Sequence, residues 1–436
     1  MRNLAVLLAL ALVGSAAFAA EVPAVIQKPA VDVHAQPDFA SPKIATLKRD
    51  DAVKISAQQG LWYELQLPTG GAGYVRVNDV RLNYANADDG GANLRVLMSG
   101  KAGKGRVTET AGVRGIDESD LSSAPYDQAQ FDKMTGNRVD DPTAATYAQA
   151  HGWQATQVAY AGEAKGGKAA GKSSKKSGIS GSALGGLGSL SQAFGSVFGA
   201  AEKVAPKSEE ELSAEELALG PEIAGRILGA RPLWEDADAQ RRVNVVGRWV
   251  ASQTSRPDLP WAFGVIDTPE INAFAAPGGY ILVTRGMYEL IASDSELAAV
   301  LGHEITHVVQ RDHYNVIHQQ DVATFGKDET MSRVTVSGGE AGAYAKAYVE
   351  KHGATIMLTA LDREAEYRAD EFAQLDLARA GMNPLALYAV LQKMISLGSK
   401  SASLAQLYKT HPALDSRLDR IDKRGYGTLE PYITRE

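Results

Sequence analysis

His303-Glu304-Ile305-Thr306-His307 is the stretch that decides the fold of this chain, and it has the pattern H-E-x-x-H. On a helix, side chains four residues apart project from one face, so the two imidazoles converge. Such a pair binds one zinc ion, and Glu304 beside it is placed to take a proton from a water molecule. The motif therefore predicts metal-dependent hydrolysis of peptide bonds.

The residues around the motif predict a buried helix. Ser293 and Glu296 fit the S/T-x-x-E capping box, so we expect the helix to begin there. Apolar residues then recur at helical spacing: Leu297, Val300, Leu301, Ile305, Val308 and Val309. The alternative is a chance match, in which both histidines are ordinary core or surface residues.

A catalytic zinc site needs a third protein ligand and one open position. Residues 362–371 are rich in helix formers and contain three carboxylates, Glu364, Glu366 and Asp370. Glu366 and Asp370 share a face, which suits a ligand followed by a carboxylate that orients a histidine. The alternative is an exposed helix with an ion pair between Glu364 and Arg368. Spacing alone does not choose among the three carboxylates.

The order of motifs resembles the gluzincin metallopeptidases, the family of HtpX, BepA, Oma-type and CAAX prenyl proteases. H-E-x-x-H at 303–307 is followed by E-x-x-A-D at 366–370, and N-A-F-x-x-P-G-G precedes both at 272–279. Gly-Met-Asn-Pro at 381–384 and Thr-His-Pro at 410–412 with Arg417 match later segments. The resemblance covers residues 206–436 and has one departure, since Asp362 stands where the family commonly has serine.

The resemblance implies the role of each site residue. His303, His307 and Glu366 are expected to hold one Zn²⁺ per chain, with Asp370 behind them and Glu304 as the general base. No other cofactor is implied.

The substrate is expected to lie as an extended strand beside residues 276–284. These include a strong β run that begins at Tyr280 and Ile281, just after a turn at Gly278 and Gly279. The alternative is that this run is an ordinary core strand.

His411 precedes a proline, as in family members where a histidine of this loop occupies the open coordination position. The sequence predicts a regulatory role for His411 or a role as transition-state donor; the alternative is a loop histidine without a role. The other five histidines are expected at the surface: His34, His151, His313, His318 and His352.

Composition narrows the class of protein. The chain has 436 residues, enough for two or three domains, and a formal net charge of −7 without a concentration of basic residues, which argues against nucleic acid as a partner. It has no cysteine, which excludes disulfides, thiolate ligands and a lipid anchor on cysteine.

The first twenty residues predict a secretory signal peptide. Arg2 precedes an apolar run, and Ala17-Phe18-Ala19-Ala20 offers an A-x-A cleavage site. No later segment reaches about 20 continuous apolar residues, so we expect no transmembrane anchor. The periplasm is the expected location.

Residues 22–85 contain short alternating strands and turn signals, which predict a small all-β barrel. Gly60, Trp62 and Gly73-Tyr74-Val75 resemble a bacterial SH3-like domain, which implies an envelope-protein or cell-wall ligand; the alternative is a spacer without a ligand. Residues 86–205 are predicted to be a linker region, partly low-complexity and rich in Gly, Lys and Ser.

The predicted architecture is therefore multidomain. An SH3-like barrel precedes a mainly α (α+β) zincin-type metallopeptidase domain with a short β-sheet, over residues 206–436. The predicted function is a periplasmic zinc endopeptidase acting on misfolded or unassembled envelope proteins, a form of protein quality control. Two alternatives stay open: a cell-wall peptide hydrolase targeted by the barrel, and a chaperone-like binding protein with a blocked site.

Overall fold

A computed structural model describes residues 21–67, 70–82, 116, 118–159, 209–325, 338–398 and 401–435. The predicted signal peptide, at 1–20, and the Gly/Lys/Ser-rich part of the predicted linker lie outside these residues. Among the helices in the described ranges, none combines the length and the apolar composition that a membrane span requires.

The N-terminal part is a seven-stranded antiparallel sheet in the order β3-β2-β6-β5-β4-β1-β7. Alternation of side chains builds its core: in β4, Val53 and Ile55 are buried while Ala52 and Lys54 are exposed. The small all-β domain predicted from the sequence is confirmed. Its strands are β1 Val22–Ile26, β2 Ala30–His34, β3 Lys43–Lys48, β4 Ala52–Gln59, β5 Trp62–Gln66, β6 Ala72–Arg76 and β7 Val80–Leu82.

The remainder is mainly helical around a three-stranded sheet, as the sequence predicts. The helices are α1 Glu118–Ser123, α2 Gln128–Gly136, α3 Asp141–Ala150, α4 Glu209–Ala230, α5 Ala237–Ala251, α6 Arg285–Leu290, α7 Asp294–Val309, α8 Asp312–Phe325, α9 Gly338–His352, α10 Arg363–Arg379, α11 Leu385–Ser396, α12 Leu407–Thr410, α13 Leu414–Arg424 and α14 Glu430–Ile433. The strands are β8 Ala262–Ile266, β9 Ala273–Ala276 and β10 Tyr280–Thr284.

The strand that begins at Tyr280 and Ile281 is the centre of its sheet. β10 pairs in parallel with β8 and antiparallel with β9, so both of its edges are occupied. The prediction that this run is an edge strand for substrate is therefore wrong. Gly278 and Gly279 form the turn before it, at φ +75° and +102°. The alternation pattern does not specify strand order, which depends on contacts made far away in sequence.

One edge of the sheet is closed by side chains instead of by another strand. The amide of Asn244 on α5 donates to the carbonyl of Phe263 (2.8 Å) and accepts from its N–H (3.2 Å). Gln240 forms the same pair of bonds with Val265, at 2.8 and 3.0 Å. These two amides bond the N–H and carbonyl groups of Phe263 and Val265 in β8, as a neighbouring strand would. Among the described strands, β9 pairs only with β10, so β9 is the edge that remains.

Part of the region predicted as linker is folded onto the helical domain. The Asp127 N–H donates to the Gly225 carbonyl on α4 (3.0 Å), and the Thr156 N–H donates to the Arg379 carbonyl on α10 (2.7 Å). Met134 on α2 is fully buried. The linker prediction is corrected for 118–159. Short helices with weak amphipathic patterns are stabilised here by tertiary packing, which local sequence does not reveal.

A buried carboxylate connects three parts of the helical domain. Glu216 on α4 is 0% exposed and accepts two bonds from Arg256, at 2.9 and 2.7 Å. It also accepts from Arg311 (2.9 Å) and from the N–H of Gly278 in the β9–β10 turn (3.2 Å). Arg256 in turn donates to the carbonyl of Val308 at the end of α7 (3.1 Å). Glu216 therefore holds that turn and that helix end together.

Replacing Glu216 by Gln is expected to destabilise the protein by about 3–5 kcal/mol, because a buried carboxylate is lost and two partly buried guanidinium groups lose their partner. Urea unfolding followed by tryptophan fluorescence measures this. The control is Glu364→Gln, which removes an exposed pair with Arg420 and is expected to cost less than about 1 kcal/mol. A Glu216→Gln variant as stable as its control contradicts the role given to this carboxylate.

Candidate metal centre

The H-E-x-x-H sequence lies on α7, here called the motif helix (Asp294–Val309), which is almost wholly buried. Ser293 caps it by accepting from the Glu296 N–H (3.2 Å), and Glu296 accepts from the Ala292 N–H (2.7 Å). The predicted helix start with Ser293 as its cap is therefore confirmed, while Glu296 reaches back to the residue before the cap. Gly302 faces α10, where a β-carbon would lie 3.4 Å from Ala373. Small residues on both helices allow their close approach.

The two histidines are oriented by carboxylates behind them. His303 Nδ1 lies 3.0 Å from Asp370 on α10, and His307 Nδ1 lies 2.9 Å from Asp312 on α8. Each Nδ1 is thereby engaged, so the Nε2 atoms face each other 3.2 Å apart. This is the usual arrangement of histidines that ligate a metal through Nε2. Asp370 lies where the sequence predicts it.

Glu366 completes a set of converging donor atoms. Its oxygens lie 3.5 Å from His303 Nε2 and 3.7 Å from His307 Nε2. The residue is 1% exposed, and neither oxygen has a hydrogen-bond partner. Donor atoms about 2.1 Å from a tetrahedral zinc ion are about 3.4 Å apart, which these spacings match. A buried carboxylate without partners is costly, and a bound cation removes that cost. The residues therefore fit a metal ion.

Asp362 begins the helix that carries Glu366. Its side chain accepts from the Ala365 N–H (2.8 Å) and caps α10. Serine and aspartate are both good caps, so the departure from the family pattern preserves the start of this helix.

Asp312 is a site residue that sequence reasoning missed. Arg311 has φ +57°, which turns the chain sharply after the motif helix and brings Asp312 back onto His307. Arg368 holds the other oxygen of Asp312 at 2.6 Å. Continued helical geometry would have placed Asp312 elsewhere, and the left-handed residue before it had no sequence signal.

A second guanidinium supports Asp370. Arg417 on α13 donates to both oxygens of Asp370 and is itself buried. Burial raises the pKa of Asp370, but the charges and hydrogen bonds of Arg417 and His303 together lower it to about 2. Asp370 is therefore ionised and accepts from His303.

Glu304 and His411 face the same cleft as Glu366. The cleft is also lined by Ala273, Phe274 and Ala275 of β9 and by residues of the segment that follows α9. Burial raises the pKa of Glu304, which suits a group that must take up a proton.

The His411 Nε2 lies 3.8 Å from Glu366, within the same cluster of donor atoms. Burial lowers its pKa to about 3, so the imidazole is neutral and able to ligate.

Two histidines expected at the surface are buried. His34 lies inside the barrel, and His313 is only 9% exposed, lines the cleft, and has an Nδ1 without a hydrogen-bond partner. Burial lowers the pKa of His313 to about 4. His313 lies beside the charged residues 311 and 312, whose composition wrongly indicated a solvated end of the helix.

Comparison with known families supports this assignment. Residues 237–425 match the model of Peptidase family M48, and residues 29–80 match that of the bacterial SH3 domain. The matched residues 237–425 are called the M48 domain below. The family resemblance drawn from the motifs is thus confirmed, and the M48 domain follows an SH3-like domain.

Known relatives resemble this chain over the M48 domain, and the first of them are matched over less than half of their own length. The Beta-barrel assembly-enhancing protease of Escherichia coli (strain K12) is 26% identical over 215 residues, which are 47% of this chain and 42% of that protein. Metalloprotease LoiP of the same organism is 26% identical over 165 residues, 38% of this chain and 63% of LoiP. Mitochondrial metalloendopeptidase OMA1 of Arabidopsis thaliana is 28% identical over 155 residues, which are 36% of this chain and 30% of OMA1.

Asp312→Asn is expected to weaken metal binding by the M48 domain about 10- to 100-fold, because the amide no longer supplies a charge that orients His307. Competition with a chelator of known affinity measures the change. Asp415→Asn, at an exposed position of α13, is the control and should bind metal as the wild type does. Equal affinity of the two variants contradicts the orienting role of Asp312.

Proposed function

We propose that this protein is a zinc-dependent endopeptidase that hydrolyses polypeptides. The observation that carries this proposal is the Glu366 carboxylate. It is buried without hydrogen-bond partners, and its oxygens lie at ligand spacing from His303 and His307. Two histidines and one glutamate are a donor set of catalytic zinc sites. These three residues would hold one ion per chain and would leave a fourth position for water.

The residues of the chain divide the chemistry between them. A bound zinc ion supplies polarisation of the scissile carbonyl and lowers the pKa of the attacking water. Glu304 takes the proton of that water and passes it to the leaving amine. Asp370 and Asp312 keep the imidazoles of His303 and His307 in the tautomer that presents Nε2. Burial of the cluster excludes bulk water and strengthens these charges.

The substrate is proposed to lie along β9. The other edge of the sheet is closed by Gln240 and Asn244, whereas β9 borders the cleft beside Glu304. Its residues Ala273, Ala275 and Ala276 are small and allow another backbone to approach. Main-chain hydrogen bonds to such an edge bind extended peptides of many sequences. Substrate placement thus moves from β10 to β9.

The natural substrates are proposed to be misfolded or unassembled proteins of the bacterial envelope, with the periplasm as the location. Support comes from the signal peptide predicted in residues 1–20 and from the relative named Beta-barrel assembly-enhancing protease. An SH3-like domain keeps a cell-wall peptide as the second candidate substrate. Purified cell wall and an unfolded protein, offered in parallel, separate these two.

Glu304→Gln is expected to lower kcat on an unfolded protein such as casein about 10²- to 10⁴-fold while the metal stays bound, because only the proton acceptor is lost. Elemental analysis and a cleavage assay check both parts. Glu430→Gln, an exposed carboxylate on α14, is the matched control. His303→Ala should lose the metal itself. Cleavage that persists in the Glu304→Gln variant overturns the proposed mechanism.

His411 is proposed to occupy the fourth ligand position and so to restrain the site. His411→Ala is therefore expected to raise the basal rate of cleavage several-fold with unchanged metal content, because a neutral competing ligand is removed. A lower rate would instead assign His411 as a donor to the transition state. Unchanged activity removes both roles.

A further inference from the structure

The motif helix carries a buried ion pair at its start, two turns before the first of its two histidines. Lys393 on α11 donates to both oxygens of Glu296, at 2.7 Å each. Lys393 is 0% exposed and Glu296 is 2% exposed. Gln58 of barrel strand β4 also donates to Glu296 (3.4 Å). Glu296, in the first turn of the motif helix, therefore contacts both the barrel and α11.

Gln392, the residue before Lys393 on α11, binds the barrel backbone directly. The Gln392 amide donates to the carbonyls of Val77 (2.8 Å) and Val80 (3.1 Å), and its oxygen accepts from the Leu82 N–H (3.1 Å). All of these contacts are buried, and they use backbone groups at the β6–β7 turn. This surface of the barrel is therefore buried against the M48 domain.

The opposite face of α11 lines an apolar cavity that adjoins the catalytic cleft and shares Glu304 and His411 with it. Leu387, Val390, Leu391 and Met394 recur at helical spacing and line an apolar cavity. The same cavity is lined by His303, Glu304 and His411. One helix therefore contacts the barrel on one side and, on the other, borders a cavity that His303, Glu304 and His411 also line.

A further barrel contact reaches the helix behind Asp370. Arg81 of β7 donates to Asp419 (2.9 Å) and to Asp422 (2.6 Å) on α13. That helix carries Arg417, which holds Asp370. The barrel thus contacts two helices that contribute residues to the site.

We propose that the SH3-like barrel is a fixed part of the catalytic unit, and that Glu296, Lys393 and Gln392 are positioning residues that set the apolar wall of the substrate cleft. The cavity takes an apolar substrate side chain, such as leucine, next to the scissile bond. This inference rests on the proposed peptidase function. The ion pair fixes the position of α11, because a shift of this helix would leave the buried ammonium of Lys393 without its carboxylate.

The test uses the full chain and two peptides that carry either leucine or alanine on both sides of the scissile bond. In Lys393→Met, KM for the leucine peptide should rise about tenfold with kcat within about twofold, and KM for the alanine peptide should change less than about twofold. Hydrogen exchange should quicken in α11 and in residues 77–82, with unchanged metal content. Lys54→Met, at a lysine of β4 that is 66% exposed, is the control.

Rescue separates positioning from a general loss of stability. The double variant Glu296→Gln/Lys393→Met removes both charges and keeps similar shapes, so KM for the leucine peptide should return to within about threefold of the wild type. If Lys393→Met fails to fold, Gln392→Ala gives the same comparison, because it removes the three bonds to the barrel backbone.

Three results overturn the inference: an unchanged KM for the leucine peptide, an equal rise for both peptides, or unchanged hydrogen exchange in α11. A wild-type chain that cleaves neither peptide nor casein refutes the proposed function instead. Hydrogen exchange still tests the contact between barrel and α11 in that case.

Discussion

The structure depends first on the two carboxylate–imidazole bonds behind the histidines. Asp370 and Asp312 hold the Nδ1 atoms of His303 and His307, so that the Nε2 atoms of both rings converge near Glu366. Each carboxylate needs its own support, which Arg417 and Arg368 give. The packing of α7, α8, α10 and α13 therefore brings each histidine to its carboxylate and each carboxylate to its guanidinium.

Local patterns predicted much of the catalytic core. Ser293 caps the motif helix as its spacing from Glu296 indicates, and Glu366 lies at ligand spacing from the two histidines. Such features depend on residues a few positions apart or on a conserved motif. The all-β start of the chain was equally readable, because alternation in β4 matches a sheet with one buried face.

The remaining features depend on contacts between distant residues, and local patterns do not encode them. Strand order placed β9 at the edge and β10 at the centre, although both are apolar runs. Asp312 reaches His307 only because Arg311 adopts a left-handed conformation. The second role of Glu296 requires Lys393 and Gln58, which are 97 and 238 residues away in sequence. Nothing in the local sequence around Glu296 indicates that its side chain also contacts α11 and the barrel.

Charge balance explains why these residues belong together. Four carboxylates surround the ligand cluster, those of Glu304, Glu366, Asp370 and Asp312, and two guanidiniums oppose them, those of Arg417 and Arg368. The four negative and two positive charges leave two negative charges in a largely buried site, where uncompensated charge is costly. A divalent cation held by His303, His307 and Glu366, as proposed, would offset that excess. Charge therefore supports the same proposed ligands that the spacing of their donor atoms supports.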